Sequence, residues 1–488
     1  MRLIINLFFF LAVFLFSCRG PESSKTVDVE SKSVKKSFKP IDRDLGAIKR
    51  EGKLTAIVDN SSTGMFLYRG EPLGFEYELI SKYAEYTGLD LEFKIARSIE
   101  EGFELINKGD GDILAHNLTV TKERKEKIGF TNSHYHIRQV LIQRKPEKWR
   151  DMKLHEIDEV LIRSVIDLIG KEVYVRKHSA FGSRLRNLSD EIGGEILVVE
   201  DFEDLETESI IELVADGTIE YTVADENLAK LIAKKHPILD VKTPVSFPQQ
   251  IAWGVRDNAD SLKLSINTWL KQIKRGSEYN SLYNKYFKAS TSRAREVLKS
   301  DFFSNTGDKI SPYDSLIKIG ADSVGWDWRL LAAQISRESR FDPKAKSWVG
   351  AKGLMQVMPK TAKSYGIKNL EDPYHSIKAG TMHIQWLQKK WKYLEDSVER
   401  EKFVLASYNV GDGHVRDAVK LAKKYGADPN VWDDNVEKYL LLKSQSKYYE
   451  DPVVQFGYCR GNEPVQYVKD ILYRYGRYIQ MGITDSTE

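Results

Sequence analysis

The arrangement of apolar and polar residues predicts an α/β region followed by a helical region. Between residues 45 and 287, short apolar runs typical of strands alternate with segments in which apolar residues recur at helical spacing. Residues 54–58 predict a strand, residues 76–87 a helix that ends before Gly88, and residues 89–95 the next strand. The alternation predicts a mostly parallel sheet covered by helices. Further strands are predicted at residues 112–115, 140–143, 172–175 and 221–224.

A different pattern begins after Pro312, where almost every segment has helical periodicity. A polar stretch at residues 289–308 separates this part from the first region. We therefore expect a mainly helical domain of about 175 residues. Its helices are predicted at residues 314–320, 328–340, 359–365, 376–393, 400–408, 414–425 and 465–475.

The first residues have the pattern of an export signal. An apolar run at residues 3–16 is shorter than the ~20 residues of a spanning helix and ends at Ser17 and Cys18. Residues 15–18 (LFSC) resemble a bacterial lipobox, whose cysteine is acylated and becomes the new N-terminus. Phe16 departs from the small or branched residue usual at its position. The alternatives are an ordinary cleaved signal, or a membrane anchor, with an uninvolved cysteine.

Composition and charge change this picture little. The chain has 488 residues, of which 41% are hydrophobic and 30% charged, and this suits two or three soluble domains. Its net charge of +3 gives no reason to expect a nucleic acid as partner. Residues 19–40 lack apolar periodicity and predict a solvated tether. If Cys18 is lipidated, Cys459 has no disulfide partner, and we expect it to be a buried apolar residue.

The first region resembles the family-3 periplasmic solute-binding proteins over some 240 residues. The resemblance implies two α/β lobes that close on an amino acid or a related small molecule. Two chain crossings would join the lobes, and we place them near residues 143–146 and 243–248. The segments that carry the resemblance are residues 74–79 (GFEYEL), 111–124 (GDILAHNLTVTKER), 128–132 (IGFTN), 216–225 (DGTIEYTVAD) and 250–255 (QIAWGV).

The same resemblance assigns ligand-binding roles to four residues. Arg124 stands where the family clamps a ligand carboxylate through a bidentate pair, and Asp225 where it holds the α-amino group. Asn117 and Thr119 would supply nearby polar contacts. The alternative is that Arg124 and Asp225 are ordinary surface or interlobe charges.

Three histidines of the first region raise the question of a metal site. His134 and His136 would face the same side of a strand, and His116 lies nearby in the sequence. No acidic residue or cysteine accompanies them at metal-ligand spacing. We expect these histidines in loops or in the groove, and neither a metal nor another cofactor.

Three motifs of the helical region occur in order. They are residues 332–343 (AAQISRESRFDP), 347–359 (SWVGAKGLMQVMP) and 406–411 (ASYNVG). Together they resemble the catalytic domain of the soluble-type lytic transglycosylases, which has a lysozyme-like fold.

Glu338 is the candidate catalytic residue of the helical region. It comes at the end of an apolar-faced helix, just before Asp342 and Pro343 break the helix, so it can project into a cleft. Partial desolvation there would raise its pKa, as a general acid requires. No second carboxylate stands out in the motifs. The resemblance implies that Glu338 acts first as acid and then as base on the 6-hydroxyl of the sugar, which gives a 1,6-anhydro product.

The resemblance also assigns substrate contacts. Hydroxyl and amide groups suit an uncharged sugar, although a methionine at helical spacing is equally a core residue. Residues 463–468 (EPVQYV) resemble a closing motif of the family with Pro464 in place of threonine, and Tyr467 would line the cleft or pack in the core. The residues assigned to the cleft by the first three motifs are Ser347, Met355, Gln356, Tyr408 and Asn409.

The order of the two regions resembles the membrane-bound lytic murein transglycosylase F family. This implies cleavage of the β-1,4 bond between N-acetylmuramic acid and N-acetylglucosamine in peptidoglycan, sensing of a stem peptide or amino acid, and a lipid anchor on the periplasmic face of the outer membrane. The alternatives are a binding scaffold with an inactive lysozyme-like domain and a hydrolytic muramidase. The expected division is a signal peptide at 1–17, a tether at 18–43, a regulatory domain at 44–290, a linker at 291–310 and a catalytic domain at 311–488.

Overall fold

The first region forms two α/β lobes, each built on a five-stranded sheet. The computed structural model describes residues 41–202, 205–288, 296–305 and 309–484. In each sheet four strands run in one direction and the fifth is antiparallel to them. The strand order is Asp90–Ile95, Lys53–Val58, Ile113–Leu114, Gly254–Val255 and Gly129–Phe130 in lobe 1. In lobe 2 it is Leu197–Val199, Glu172–Tyr174, Tyr221–Asp225, Gln139–Arg144 and Leu239–Asp240.

Helices cover both sheets, and the predicted α/β fold is confirmed. The helix predicted at residues 76–87 spans Phe75–Thr87 and ends at Gly88, whose left-handed backbone (φ 66°) suits glycine. The others are Leu45–Glu51, Ile99–Lys108, Lys122–Lys125, Leu154–Val160, Ala180–Ile192, Thr207–Asp216, Glu226–Lys235, Asp260–Ile273 and Ser277–Tyr283.

Two short strands carry the chain between the lobes. Tyr135–Ile137 leads from lobe 1 into lobe 2, Gln249–Ile251 leads back, and the two pair antiparallel. The crossing predicted at residues 143–146 is wrong, because Gln143 pairs with Tyr221 inside the lobe 2 sheet. The second crossing was predicted at residues 243–248. It ends one residue before the strand Gln249–Ile251, which leads the chain back to lobe 1.

The helical region contains all seven predicted helices and two short ones that its periodicity did not predict. The bounds are Asp314–Val324, Trp328–Ser339, Pro359–Ser364, Pro373–Lys390, Ser397–Val410, Asp412–Lys424, Glu437–Leu442, Ser446–Tyr449 and Asn462–Gln480.

The predicted tether and the predicted linker each contain residues bound to lobe 1. Arg43, in the predicted tether, pairs with the buried carboxylate of Asp112 at 2.8 Å. Phe303–Ser304, in the predicted linker, is a strand that pairs with Phe66–Tyr68, which in turn forms a hairpin with Glu71–Leu73. The linker therefore extends a small sheet of lobe 1.

Lobe 1 and the helical region share one apolar core. A continuous cluster of buried side chains runs from Phe75 and Trp253 in lobe 1 to Trp328 and Leu331 in the helical region, whereas lobe 2 has separate cores. Because burial of apolar surface drives this packing, lobe 1 and the helical region are bound together more firmly than either is to lobe 2.

The C-terminal helix Asn462–Gln480 makes the polar contacts between lobe 1 and the helical region. Tyr478 donates a hydrogen bond to the carbonyl of Gly70 at 2.6 Å, and Arg477 to that of Leu91 at 2.9 Å. Arg474 pairs with Glu71 at 2.6 Å. Thus the turn of the lobe 1 hairpin packs directly on the helical region.

Candidate active site

Glu338 lies in the last turn of the helix Trp328–Ser339. The helix begins at Asp327, whose carboxylate accepts a hydrogen bond from the Arg329 amide at 2.9 Å. It ends abruptly, because Arg340 and Phe341 both adopt left-handed backbone conformations with φ of 50° and 58°. Since the other turns of this helix are buried in the core, Glu338 is held at a fixed position where the helix emerges.

Tyr467 fixes the carboxylate of Glu338. Its hydroxyl donates a hydrogen bond to Glu338 Oε1 at 2.6 Å, and its ring is almost fully buried on the helix Asn462–Gln480. Gln334, one turn before Glu338, donates in turn to the Tyr467 hydroxyl at 3.2 Å. The predicted cleft residue Tyr467 is therefore both buried and in contact with the candidate catalytic acid.

The surroundings of Glu338 make both its protonated and its ionised form accessible near neutral pH. Burial raises the pKa of Glu338 to about 7, against the opposing effects of the Tyr467 hydrogen bond and the Arg337 charge. Arg337 is held beside it by an ion pair with Asp470 at 3.0 Å. Among the described residues no second carboxylate shifts the Glu338 pKa. A carboxyl group with a pKa of about 7, such as that of Glu338, can donate a proton and, once ionised, accept one.

The second motif forms the loop that lies against the catalytic helix. Ser339 donates a hydrogen bond to the carbonyl of Leu354 at 2.8 Å, and Tyr408 donates one to that of Met355 at 2.8 Å. The side chain of Met355, which the resemblance assigned to the cleft, is fully buried and packs against Gly380. Gln356 donates to the carbonyls of Ala345 and Gly353 at 3.0 and 2.9 Å and so braces the loop.

Two further predicted residues, Ser347 and Asn409, lie in the second motif and near the end of the helix Ser397–Val410. Ser347 Oγ accepts a hydrogen bond from the Ala351 amide at 3.0 Å and closes a turn from which Trp348 projects, 97% exposed. Asn409 is exposed at the end of the helix Ser397–Val410. The neighbouring ring of Tyr408 is packed edge-on against His383 at 5.2 Å, and the charge of Glu338 contributes to raising the Tyr408 pKa. Tyr408 is thus close to Glu338.

Sequence reasoning missed three residues of this site. Gln334, Arg337 and Asp470 orient Tyr467 and Glu338 but fall outside any assigned role. The position of Gln334 four residues before Glu338, on the same helix face, was a signal that could have found it. Asp470 could not be found in this way, because its contact with Arg337 joins distant helices.

Known families match both regions. Residues 54–289 match the family described as bacterial extracellular solute-binding proteins, family 3, and residues 315–431 match the transglycosylase SLT domain. Membrane-bound lytic murein transglycosylase F of Desulfosudis oleivorans is 34% identical over 88% of this chain and 91% of its own length. The chain belongs to the membrane-bound lytic murein transglycosylase F family. The protein of that name from Photobacterium profundum is 30% identical over 88% of this chain and 80% of its own length.

In this transglycosylase F family member, the four ligand-binding residues predicted for the first region line one cavity of about 90 Å³ between the lobes. Asn117 of lobe 1 donates to Asp225 of lobe 2 at 2.8 Å, and Arg124 is buried, donating to the Thr119 carbonyl at 3.0 Å. Burial raises the pKa of Asp225 to about 7, although Arg124 and Asn117 oppose the rise. The lobes are therefore in contact around a polar cavity.

The histidines considered for a metal site have other surroundings. His134 is buried with Nε2 at 3.2 Å from Glu76, and Glu76 also accepts a hydrogen bond from Trp253 at 2.6 Å. His136 is exposed on the strand that crosses between the lobes. In the described ranges, no three His, Cys, Asp or Glu side chains are grouped so that they could hold a metal ion.

No helix within the described residues has the length and apolar character needed to span a membrane. Cys459 is free and buried, as predicted. Cys18, the predicted lipidation site, lies outside the described residues.

Proposed function

We propose that this protein cleaves the glycan strands of peptidoglycan as a lytic transglycosylase, with Glu338 as its acid and base. The observation that carries the proposal is that Glu338, in the last turn of a buried helix, has a pKa of about 7 and accepts a hydrogen bond from Tyr467. Among the described residues no second carboxylate shifts this pKa. Family membership gives the class of reaction, since its members are named lytic murein transglycosylases.

The reaction begins with the protonated form of Glu338. Its proton goes to the glycosidic oxygen between N-acetylmuramic acid and N-acetylglucosamine as the bond to C1 breaks, and the substrate's own N-acetyl oxygen stabilises the positive charge at C1. The Glu338 carboxylate then takes the proton of the 6-hydroxyl, whose oxygen bonds to C1 as the N-acetyl group leaves. The product is a 1,6-anhydro sugar, no water is consumed, and Glu338 is protonated again.

The remaining residues of the site would orient these groups. Tyr467 holds one oxygen of Glu338, so the other is directed to the substrate. Tyr408 and Asn409, at the end of their helix, and Ser347, in the second motif, present hydroxyl and amide groups that suit the N-acetyl group. Gln356 supports the loop through its two hydrogen bonds.

The test is mass spectrometry of the fragments released from purified peptidoglycan sacculi. The protein should release fragments that end in 1,6-anhydro-muramic acid, and Glu338→Gln should release none, because the amide cannot donate and recover a proton. Glu395→Gln, an exposed glutamate that precedes the helix Ser397–Val410 and belongs to none of the motifs, is the control and should retain activity. Reducing ends instead of anhydro ends would indicate a hydrolytic muramidase, and no release at all would favour a binding scaffold.

We further propose that the two-lobed region senses a stem peptide or an amino acid and changes access to Glu338. Arg124 and Asp225 would clamp the carboxylate and the α-amino group, with Asn117 and Thr119 beside them. A ligand regulates only if it favours one arrangement of the lobes. Turnover of sacculi should therefore change when a ligand that binds the first region is added, and equal rates with every such ligand would contradict the proposal.

Attachment to the periplasmic face of the outer membrane through a lipid on Cys18 completes the proposal. The lipobox-like sequence at residues 15–18 supports it. Cell fractionation should find the protein in the outer membrane and Cys18→Ser in the soluble periplasmic fraction or uncleaved in the inner membrane. Unchanged outer-membrane attachment of Cys18→Ser would contradict lipidation at this residue.

A further inference from the structure

Three rings form a row that begins beside the candidate active site. Tyr408, which lies close to Glu338, packs edge-on against His383 with the ring centroids 5.2 Å apart. The imidazole of His383 in turn stacks on the indole of Trp386, with centroids 5.5 Å apart and planes at 11°. We call this row of Tyr408, His383 and Trp386 the aromatic track.

The helix Pro373–Lys390 sets the direction of the aromatic track. Trp386 follows His383 by three residues and precedes Lys390 by four, so the three side chains lie on one face of the helix. The same helix is bound to the loop of the second motif, because Ser376 accepts a hydrogen bond from the Met355 amide at 3.2 Å. The outer end of the track is thereby held at a fixed position relative to the loop beside Glu338.

The middle ring of the track is held by its neighbours. The hydroxyl of Tyr365 lies 3.2 Å from Nδ1 of His383 and can donate a hydrogen bond to it. Burial lowers the pKa of His383, against the opposing charge of Asp412, so the ring is neutral at neutral pH and Nδ1 can accept. His383 therefore supports the rings on both sides of it.

Trp386 is the exposed end of the track. Its side chain is 40% exposed, and the ammonium of Lys390 lies 4.9 Å from the centre of its ring. His383 lies about one helical turn before Trp386 and Lys390 about one turn after it, so they flank the indole from opposite sides. Lys390 is exposed and has a long side chain, so it can turn aside and donate to a ligand on the indole.

The chemistry of the track suits a carbohydrate. The flat faces of sugar rings carry C–H groups that pack on aromatic rings, and their hydroxyl groups can accept from an indole N–H or an ammonium. Each step of the track, 5.2 or 5.5 Å, is comparable to the length of one sugar in a β-1,4-linked strand. The two steps therefore lead about as far from Tyr408 as two further sugars would.

We propose that Trp386 binds the third sugar from the cleaved bond, on the N-acetylmuramic acid side, and that this contact makes the protein prefer long glycan strands. The inference rests on the transglycosylase activity proposed above, in which Tyr408 faces the sugar at the bond. It adds a specificity-determining residue that lies outside the three motifs. Binding energy from a remote sugar holds the bond at Glu338 and so contributes to the rate.

The test compares a tetrasaccharide and an octasaccharide of peptidoglycan, both beginning with N-acetylglucosamine. The tetrasaccharide has one cleavable bond with two sugars on each side, so it does not reach Trp386. The value of kcat/KM per cleavable bond, from mass spectrometry of the anhydro products, should be at least about tenfold higher for the octasaccharide. Trp386→Ala should remove most of this difference, because loss of a tryptophan contact commonly costs about tenfold or more.

Tyr374→Ala is the matched control. Tyr374 lies on the same helix, is 48% exposed and has the ammonium of Lys378 at 5.8 Å from its ring, but it contacts His375 instead of the track. This variant should keep the wild-type ratio of the two kcat/KM values. Trp386→Phe keeps an aromatic ring and should retain a larger part of the ratio than Trp386→Ala.

The outcomes separate this inference from the proposed activity. An unchanged ratio for Trp386→Ala would overturn the inference. Equal kcat/KM values of the wild-type protein for the two glycans would also overturn it, even if Trp386→Ala did not fold. Release of no anhydro product from either glycan by the wild-type protein would instead contradict the transglycosylase activity.

Discussion

At the scale of the residue, the candidate site depends on the balance of effects on one carboxyl group. Burial raises the pKa of Glu338, while the hydroxyl of Tyr467 and the charge of Arg337 lower it, and the result near 7 leaves both protonation states accessible. Gln334 matters indirectly, because its hydrogen bond orients the Tyr467 hydroxyl. The pKa of a glutamate identified from residues 332–343 thus depends on burial and on Tyr467, which lies outside that motif.

Tyr467→Phe should move the pH dependence of the reaction. The first step needs protonated Glu338, so the rate falls as pH rises through the Glu338 pKa of about 7. Removing the hydroxyl removes a hydrogen bond that favours the ionised form, so the fall should move to higher pH by up to about one unit, equivalent to about 1.4 kcal/mol. Initial rates on sacculi across pH 5–9 measure this. Tyr473→Phe, on the same helix but bonded to Tyr77, should leave the profile unchanged.

Glu338→Gln should stabilise the protein at high pH. The pKa of Glu338 is raised from 4.5 to about 7 in the folded protein. The contribution of the neutral carboxyl group to the free energy of unfolding is therefore fully present below pH 4.5 and is lost as pH rises through 7. The amide never ionises, so the variant should be more stable by up to about 3 kcal/mol at pH 8 and about equally stable at pH 4. Urea unfolding at both pH values measures the difference. The relevant quantity is the free energy of unfolding of the variant minus that of the wild type. If this difference were smaller at pH 8 than at pH 4, it would contradict the assigned pKa.

At the scale of the element, the lobe 1 hairpin and the catalytic helix are in direct contact. The backbone of Gly70 has φ of 73°, and a Cβ there would lie 2.5 Å from the Phe341 ring and 2.8 Å from Ser336 Oγ. Ser336 and Phe341 lie on either side of Glu338 in the sequence. Any movement of the turn therefore reaches the end of the catalytic helix through packed atoms.

Gly70→Ala should disturb this contact. The strained backbone alone would cost about 1 kcal/mol, and the clash should add about 1–3 kcal/mol and lower the activity. Gly52→Ala is a matched control, since Gly52 has φ of 72° and nothing within 4 Å of the added Cβ. Denaturant unfolding and release of anhydro fragments measure the two variants. Equal effects of the two substitutions would mean that the turn does not press on the catalytic helix.

At the scale of the whole molecule, lobe 2 is the part best able to move. Lobe 1 and the helical region share a core, whereas lobe 2 packs on cores of its own and is joined through two short crossing strands. Glu208 links it to lobe 1 at Ser62 and to Asn305, next to the strand that extends the lobe 1 hairpin. Closure of lobe 2 is thereby connected to the turn that contacts the catalytic helix.

Glu208→Ala should favour separation of the lobes. Loss of hydrogen bonds to a carboxylate costs about 1.5–3 kcal/mol, enough to change the ratio of closed to open molecules by about tenfold to a hundredfold. Small-angle X-ray scattering without ligand should show a larger radius of gyration. Glu212→Ala, on the same helix but paired with Lys235 and His236 within lobe 2, should not change it. An unchanged radius for Glu208→Ala would show that this contact does not hold the lobes.

The sequence alone determined the order of an α/β region and a helical region, seven helices of the latter, and Glu338, because periodicity and short motifs are local properties of the chain. The tertiary structure decided what depends on pairing between distant residues. It placed the crossing at Tyr135–Ile137 instead of residues 143–146, made a strand of Phe303–Ser304, and buried the side chain of Met355. It also brought Tyr467 to Glu338 across 129 positions, since only packing of two helices in a common core fixes such a hydrogen bond.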